Sequence, residues 1–268
     1  MCSGLLDAVG DVMRAVASQV IMPRFGALER GDIEEKAPGE LVTIADREAE
    51  QLLSDALLEL LPHSRVVGEE QTARDPTLLE RLDGGDVWLV DPLDGTRNFI
   101  AGRACFSVMI ALLREGETVA SWMLDPMSNL MARAELGAGA YLESERLQTA
   151  GGSPGAALLR GAVLKKYMPP DLRQQIEQRL SRISEALPGT HCAGAEYPAI
   201  ASGRQDFAVF WRTLPWDHAP GALFVSEAGG VAARYDGTPY RASDDRRGLL
   251  VARNRAIWDE ARAALLHA

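Results

Sequence analysis

The run Trp88-Leu89-Val90-Asp91-Pro92-Leu93-Asp94-Gly95-Thr96-Arg97-Asn98-Phe99 constrains this chain more than any other stretch, because an apolar segment ends in it abruptly on two acids, a glycine and a threonine. Residues 87–90 are apolar with β-branched and aromatic members, which reads as a buried strand with Asp91 at its end. Pro92 has no N–H and fixes its own φ, so it forces the chain out of the ladder into a turn that also holds Asp94. Gly95 permits a close backbone approach, and from Asp94 onward a helix can begin whose free N–H groups point at whatever the acids gather. Two carboxylates this close repel each other unless a proton or a cation lies between them, and hard divalent cations take such oxygen ligands. A phosphate needs N–H donors and positive charge, so metal ions would bridge the acids and the anion. The same two acids also suit a plain turn cap, and other stretches must decide between these readings.

Composition narrows the class. The chain has 268 residues, 47% of them apolar, enough for one large domain or two smaller halves around a substantial core. A formal charge of −10 with no basic cluster argues against a nucleic-acid or anionic-membrane surface. Cys2, Cys105 and Cys192 lie far apart in sequence, without Cys-x-x-Cys or histidine partners at ligand spacing, which points to a reducing compartment. The N-terminus lacks a basic head and apolar block, and no apolar stretch approaches the roughly 20 residues that span a bilayer, so a cytoplasmic protein is expected.

Along the chain, Leu5, Leu6, Val9, Val12, Met13, Val16, Val20 and Ile21 recur at helical spacing, and Pro23 and Gly26 close that helix. Residues 31–40 are polar and read as a mobile loop, with Lys36 a solvated lysine by composition, though loops often carry function. A second helix runs from Thr43 to Leu61, with Thr43 or Asp46 at its N-terminal end as a cap. Arg65-Val66-Val67 is a short strand ending in Gly68-Glu69-Glu70, so a second strand end carries acids. If the two strands are neighbours in one sheet, Glu69 falls beside Asp91 and Asp94 at a common edge, which favours the metal reading.

Residues 75–85 read as a surface excursion with a short helix. Residues 106–113, 118–124 and 130–134 form an antiparallel meander, and Gly151-Gly152-Ser153-Pro154-Gly155 is the clearest composition break. It divides an N-terminal α+β half, residues 1–150, from a C-terminal α/β half, residues 151–268, in one compact unit. The second half alternates a strand at 158–164, helices near 170–183 and 194–202, a strand at 207–211, a helix opened by Pro215-Trp216-Asp217, a strand at 248–252 and a helix at 258–266. Asp217 sits in a first helical turn, where an acid often caps, and His218 is read as a surface or packing residue.

Three blocks then match one family in order and spacing: Gly68-Glu69-Glu70; Asp91-Pro92-Leu93-Asp94-Gly95-Thr96 with Asn98-Phe99; and Trp216-Asp217 leading to Glu227-Ala228-Gly229-Gly230. With Leu41-Val42-Thr43 through Asp46 upstream, the chain resembles the inositol monophosphatase family of lithium-sensitive, magnesium-dependent phosphatases over nearly its whole length. The resemblance implies an α+β fold, a layered α/β/α/β/α sandwich, usually a homodimer, acting on a small phosphate monoester with two or three Mg2+ ions. Carried over by motif position, Glu69, Asp91 and the Leu93 carbonyl would hold a first metal. Asp91, Asp94 and Asp217 would hold a second, and Glu69 would approach a third through water. Thr96 and Asp46 would orient and deprotonate the attacking water, the Gly95 and Thr96 N–H groups would receive phosphate, and Lys36 would lie on the mobile loop. Glu70 matches the family's second glutamate.

No Cys, Ser or His stands in a plausible nucleophile arrangement, so direct attack by water is favoured over a phosphoenzyme. One departure concerns specificity: inositol-preferring members carry a glutamate seven positions ahead of the tryptophan-linked aspartate, and here that position is Phe210. The preceding loop carries Glu196 and Tyr197 where inositol enzymes have a Gly-Thr-Ala run. Glu196 would then meet a cationic substrate, and Arg212 and Arg97 a second phosphate, unless all three are rim charges. The leaving group is accordingly open among a 3'(2'),5'-bisphosphate nucleotide, histidinol phosphate or another sugar phosphate. A regulatory protein that keeps the fold without turnover is the alternative from another class.

Overall fold

The computed structural model describes residues 3–149, 151–152, 155 and 158–266. Cys2 and, within the expected composition break, Ser153 and Pro154 lie outside the described residues.

The strongest apolar runs make the centre. β3 (Arg65–Gly68), β4 (Asp86–Asp94), β5 (Ser107–Arg114), β6 (Glu117–Asp125), β7 (Leu130–Glu135), β8 (Gly139–Leu142) and β9 (Glu145–Leu147) form a seven-stranded sheet in sequence order. β3 pairs parallel with β4 and every later neighbour is antiparallel. β4 and β5 are buried on both faces, so they lack the alternation of a half-exposed strand. Register places Trp88 opposite Leu112, Val90 opposite Ile110 and Ile110 opposite Trp122, so these side chains share one face. That face packs on α1 (Ser3–Val16), the π turn that follows it and α2 (Ile44–Leu60). Each such side chain, fully buried, contributes about 1.5–3 kcal/mol.

The opposite face carries Met109 and Met123, packed with Tyr197 and Ile200 of α6 (Ala193–Ala201) and Leu223, Phe224 and Val225 of α7 (Pro215–Glu227). Those helices rest in turn on Ala208, Phe210, Leu249 and Val251 of a second sheet. It consists of β10 (Arg160–Val163), β11 (Glu185–Leu187), β12 (Phe207–Phe210), β13 (Val231–Ala233) and β14 (Leu249–Ala252), in the order β11-β10-β12-β14-β13. Its far face is covered by α5 (Pro170–Arg179) and α8 (Arg255–Leu265) through Ile176, Ile257 and Trp258. The result is the expected five-layer α/β/α/β/α sandwich of α+β class. Among the described residues no helix is long and apolar enough to cross a membrane.

Two departures from the sequence reading bear on the site. Residues 31–40 are not a loop: β1 (Ile33–Ala37) and β2 (Glu40–Thr43) pair as an antiparallel hairpin turned at Gly39, whose φ is +77°. Its strands are mostly polar and so show no hydrophobic alternation; backbone pairing and an Arg47–Glu34 ion pair hold them. The three-residue strands β11 and β13 were likewise not expected, being too short to show a period.

The middle layer is tight. A Cβ placed on Gly221 of α7 would lie 2.0 Å from the Tyr197 ring of α6. Gly221→Ala is therefore expected to lower stability by about 1–3 kcal/mol, read as a lower urea midpoint with an unchanged slope.

Candidate active site

The parallel pairing of β3 with β4 sets Gly68 opposite Val90, so Glu69, the first residue of α3 (Glu69–Arg74), and Asp91 leave the sheet at one edge. The ladder between β4 and β5 is irregular between Asp91 and Asp94, where Pro92 interrupts it. Gly95 follows in the left-handed region, at φ +85°, and α4 (Thr96–Ile100) begins after it. A Cβ at Gly95 would also stand 3.0 Å from the Cys105 carbonyl oxygen and 3.3 Å from Cys192 Cβ, so glycine suits both the conformation and the space. Asp217 enters from the first turn of α7. All four acids, Glu69, Asp91, Asp94 and Asp217, line one cleft of about 510 Å³.

Two of the carboxylates are fixed by backbone donors. Asp91 is buried and its Oδ1 accepts from the Leu93 N–H at 3.0 Å. Asp94 Oδ2 accepts from the Gly194 N–H at the start of α6, at 2.8 Å. Burial pushes the Asp91 carboxyl well above the usual range, and the nearby Glu69, Asp94 and Asp217 carboxylates add to it. Asp217 is raised the same way, by burial first and then by Glu69 and Asp94. Asp94 is pushed up to about 6 by burial, against the Gly194 amide, which favours its ionised form. Crowded acids with raised pKa values are chemically suited to a cation, since a cation relieves both burial and mutual repulsion.

Here the neighbouring positive charge is Lys36. Its Nζ lies 2.7 Å from a Glu69 oxygen and 2.5 Å from a Glu70 oxygen, so it is an ion-paired lysine of β1 rather than a solvated one. Burial works to lower the Lys36 pKa, and the two glutamates outweigh it and raise it. Among the described residues no three or more His, Cys, Asp or Glu are already arranged to hold a metal ion. Glu69 gives one oxygen to Lys36 and still stands close enough to raise the Asp91 and Asp217 carboxyls.

Asp46 does two jobs at once. Its Oδ2 accepts from the Thr43 N–H at 2.8 Å and the Thr43 hydroxyl at 2.5 Å, the reciprocal cap of α2. Its Oδ1 faces the Thr96 hydroxyl at 3.2 Å, and that hydroxyl also reaches the Leu93 carbonyl at 3.0 Å. A threonine hydroxyl has one proton to give, so these two acceptors compete for it. Burial raises the Asp46 carboxyl to about 7, against the Thr43 donors.

The specificity candidates fare differently. Glu196 is no rim charge: it is 1% exposed and accepts from the Thr190 N–H at 2.6 Å, the Thr190 hydroxyl at 2.8 Å and Gln205 Nε2 at 2.7 Å. Its carboxylate lines the cleft while holding residues 190–205 together, so it is a structural acid as well as a wall of the site. Phe210 lines the cleft and stacks on Tyr197 at 5.6 Å. Arg212 also lines it, paired with Glu40 of β2, its guanidinium 3.9 Å above the Tyr167 ring. Arg97 lines it too and donates to the Gly39 carbonyl.

His218 is buried, not at the surface. Its Nε2 stands 3.0 Å from the Arg212 carbonyl, which can only accept, so Nε2 carries the proton and Nδ1 accepts from the Tyr197 hydroxyl at 2.7 Å. Burial pushes its pKa down to about 3.

Glu50 was missed. It is buried in α2 and accepts from the Glu70 N–H at 2.7 Å and the Gln71 N–H at 2.9 Å, capping α3 from outside. Gly68, which offers α3 no side-chain cap, must be this small, since a Cβ there would fall 2.4 Å from the Glu50 carboxylate. The available signal was its spacing, four residues after Asp46 on one helix face.

The layered sandwich brings acids, a hydroxyl–carboxylate pair and cationic side chains around one cleft, the arrangement of an anion- and cation-binding site. The sequence model of the inositol monophosphatase family matches residues 6–268, and the chain belongs to that family. It is 33% identical over 221 residues to an inositol-1-monophosphatase of Mesorhizobium japonicum, covering 80% of this chain and 79% of that one. It is 31% identical over 210 residues to a fructose-1,6-bisphosphatase/inositol-1-monophosphatase of Thermotoga maritima, covering 78% and 77%. It is 30% identical over 223 residues to the Nus factor SuhB of Escherichia coli, covering 82% of each. Among solved structures, an IMPase of Thermotoga maritima superposes with a TM-score of 0.82 at 26% identity, covering 97% of this chain and 96% of that one.

Two outcomes follow from the buried network. Glu50→Ala is expected to cost about 0.5–2 kcal/mol through the lost cap, measured by chemical denaturation, with Glu50→Gln costing less because it keeps an acceptor. His218 takes up a proton near 6.5 when unfolded and near 3 when folded. Its contribution is therefore complete above the unfolded value and is lost as pH falls between the two, and NMR should find a neutral Nε2–H imidazole at pH values where free histidine is charged.

Proposed function

We infer that this protein is a magnesium-dependent phosphatase that hydrolyses a small phosphate monoester by direct attack of water. The observation that carries the reading is the Thr96–Asp46 contact of 3.2 Å at the edge of the cleft lined by Glu69, Asp91, Asp94 and Asp217. Glu69, Asp91, the Leu93 carbonyl, Asp94 and Asp217 would hold the ions. The ions would supply acidification of the attacking water and neutralisation of charge on the leaving oxygen.

The chain's own groups do the rest. Thr96 orients the water through its hydroxyl, and Asp46 Oδ1 takes the proton that the hydroxyl relays. Asp46 stays in place because its other oxygen is locked into the α2 cap. The Gly95 and Thr96 amides offer hydrogen bonds to the phosphate, with Lys36 and Arg97 near the cleft mouth. Phe210 presents a ring edge or face where a polyol would need an acceptor, so the reading favours a leaving group other than inositol. The SuhB relatives support a second reading, a regulatory protein that keeps this fold.

Phosphate release from a panel of monoesters tests this. Magnesium-dependent turnover is expected, with inositol 1-phosphate not the best substrate. Asp91→Asn should lower kcat/KM by at least about 100-fold, since a ligand matters no less than the groups that orient it. Thr96→Ala should lower it by about 100-fold or more. Because Asp46 must be ionised to accept a proton, the rate should rise with pH through its ionisation, about 7 without metal. In the magnesium-dependent rate that limb should lie below the metal-free value, as a nearby cation favours the carboxylate. Partner binding with no turnover on any ester would reverse the ranking in favour of regulation.

A further inference from the structure

Two thiols that are 87 positions apart in sequence meet beside the phosphate-side turn. Cys105 precedes β5 and Cys192 stands at the N-terminus of α6; both are free thiols, near enough for each to shift the other's ionisation. The backbone holds the two segments together independently of the thiols. Buried Asn98 donates through one amide nitrogen to the Cys105 carbonyl at 2.9 Å and to the Thr190 carbonyl at 2.8 Å. Ser107 Oγ lies 3.6 Å from Cys192 Sγ, which in turn lies 3.8 Å from the Asp94 carbonyl oxygen. Cys192 lines the cleft and Cys105 is half-buried, so small oxidants have access to the pair.

We propose that Cys105 and Cys192 are a redox modification site, closing reversibly into a disulfide across the Asp94–Gly95 turn and releasing Asp94 from α6. A peroxide oxidises the more accessible Cys105 thiol to a sulfenic acid, giving one water. The Cys192 sulfur then attacks that sulfur, the S–O bond breaks and a second water leaves. Overall two thiols give up two electrons and two protons, and one hydrogen peroxide becomes two waters. A dithiol reductant reverses the step by exchange.

The mechanical effect follows from distances. The two sulfurs must close to about 2.05 Å to bond. Both segments flank the same glycine, the Cys105 carbonyl oxygen 3.0 Å and Cys192 Cβ 3.3 Å from where a Cβ of Gly95 would be. Two residues further on, the Gly194 N–H is the donor that fixes Asp94 Oδ2 at 2.8 Å. Drawing Cys192 toward Cys105 moves the first turn of α6 and lengthens that bond. In a reducing compartment the pair rests as thiols, and disulfides that form there are transient and regulatory. The effect on turnover rests on the phosphatase reading above; the disulfide itself does not.

The experiment treats the whole protein with hydrogen peroxide, alkylates remaining thiols and maps peptides by mass. A peptide pair joined through Cys105 and Cys192, two hydrogens lighter and separated by dithiothreitol, is expected. Amide exchange of the peptide spanning Gly194 should be faster in the oxidised form. Magnesium-dependent phosphate release should fall at least about tenfold and return on reduction, whereas Cys105→Ser keeps its basal activity and resists peroxide. Linkage through Cys2, over-oxidation of either thiol without linkage, or a disulfide that leaves exchange at Gly194 unchanged would each overturn the proposal. If linkage and exchange behave as expected but neither form releases phosphate, the redox site stands and the phosphatase reading fails.

Discussion

The structure depends on placing acids where water is scarce and holding three of them with backbone amides. Asp91 takes the Leu93 N–H, Asp94 the Gly194 N–H and Asp46 the Thr43 N–H. A buried carboxylate without such donors would protonate or turn outward, since desolvation of the charged form is the largest cost it meets. Amide donors come from fixed points of the chain, so the same bonds that offset desolvation also set position. Each amide belongs to a different element, and the seven-stranded sheet, α2 and α6 must therefore all be in register before the acids can share a cleft. Site and fold are in this respect one problem.

The sequence made the central layers legible because they are extreme. β4, β5 and β6 are long apolar runs bounded by turn residues, and the period of α1 is clear from its leucines and valines. Parallel pairing of β3 with β4 was accessible through chemistry, as acids at two strand ends suggest a shared edge. The hairpin of β1 and β2 was not, because its partners in burial are few and its residues are mostly charged or polar. Lys36 therefore looked like any solvated lysine, although Glu69 and Glu70 flank it.

Other residues escaped for a related reason. Glu196 and Glu50 are buried carboxylates whose partners, Thr190 and Gln205 in one case and the Glu70 and Gln71 amides in the other, are fixed only by tertiary structure. The only local hint is the spacing of Glu50 four residues after Asp46. His218 shows the same limit: neutral, buried and clamped between a tyrosine hydroxyl and a carbonyl, it is invisible as such in Trp216-Asp217-His218. The meeting of Cys105 with Cys192 likewise needs Asn98 to gather two distant carbonyls. Family membership accounts for the motif blocks but not for these supports.

Phe210 and Arg212 stand at the end of β12 in the second sheet, while Asp91 and Asp94 are rooted in β4 of the first. The two groups share a cleft but no strand. Changes at the end of β12 can reshape what the cavity admits without touching the ladder that carries Asp91 and Asp94, and they reach the acids only through the helices between, by way of Tyr197 and His218. A lineage built on this scaffold can vary one wall of the cleft while the strand bearing the paired acids is inherited whole.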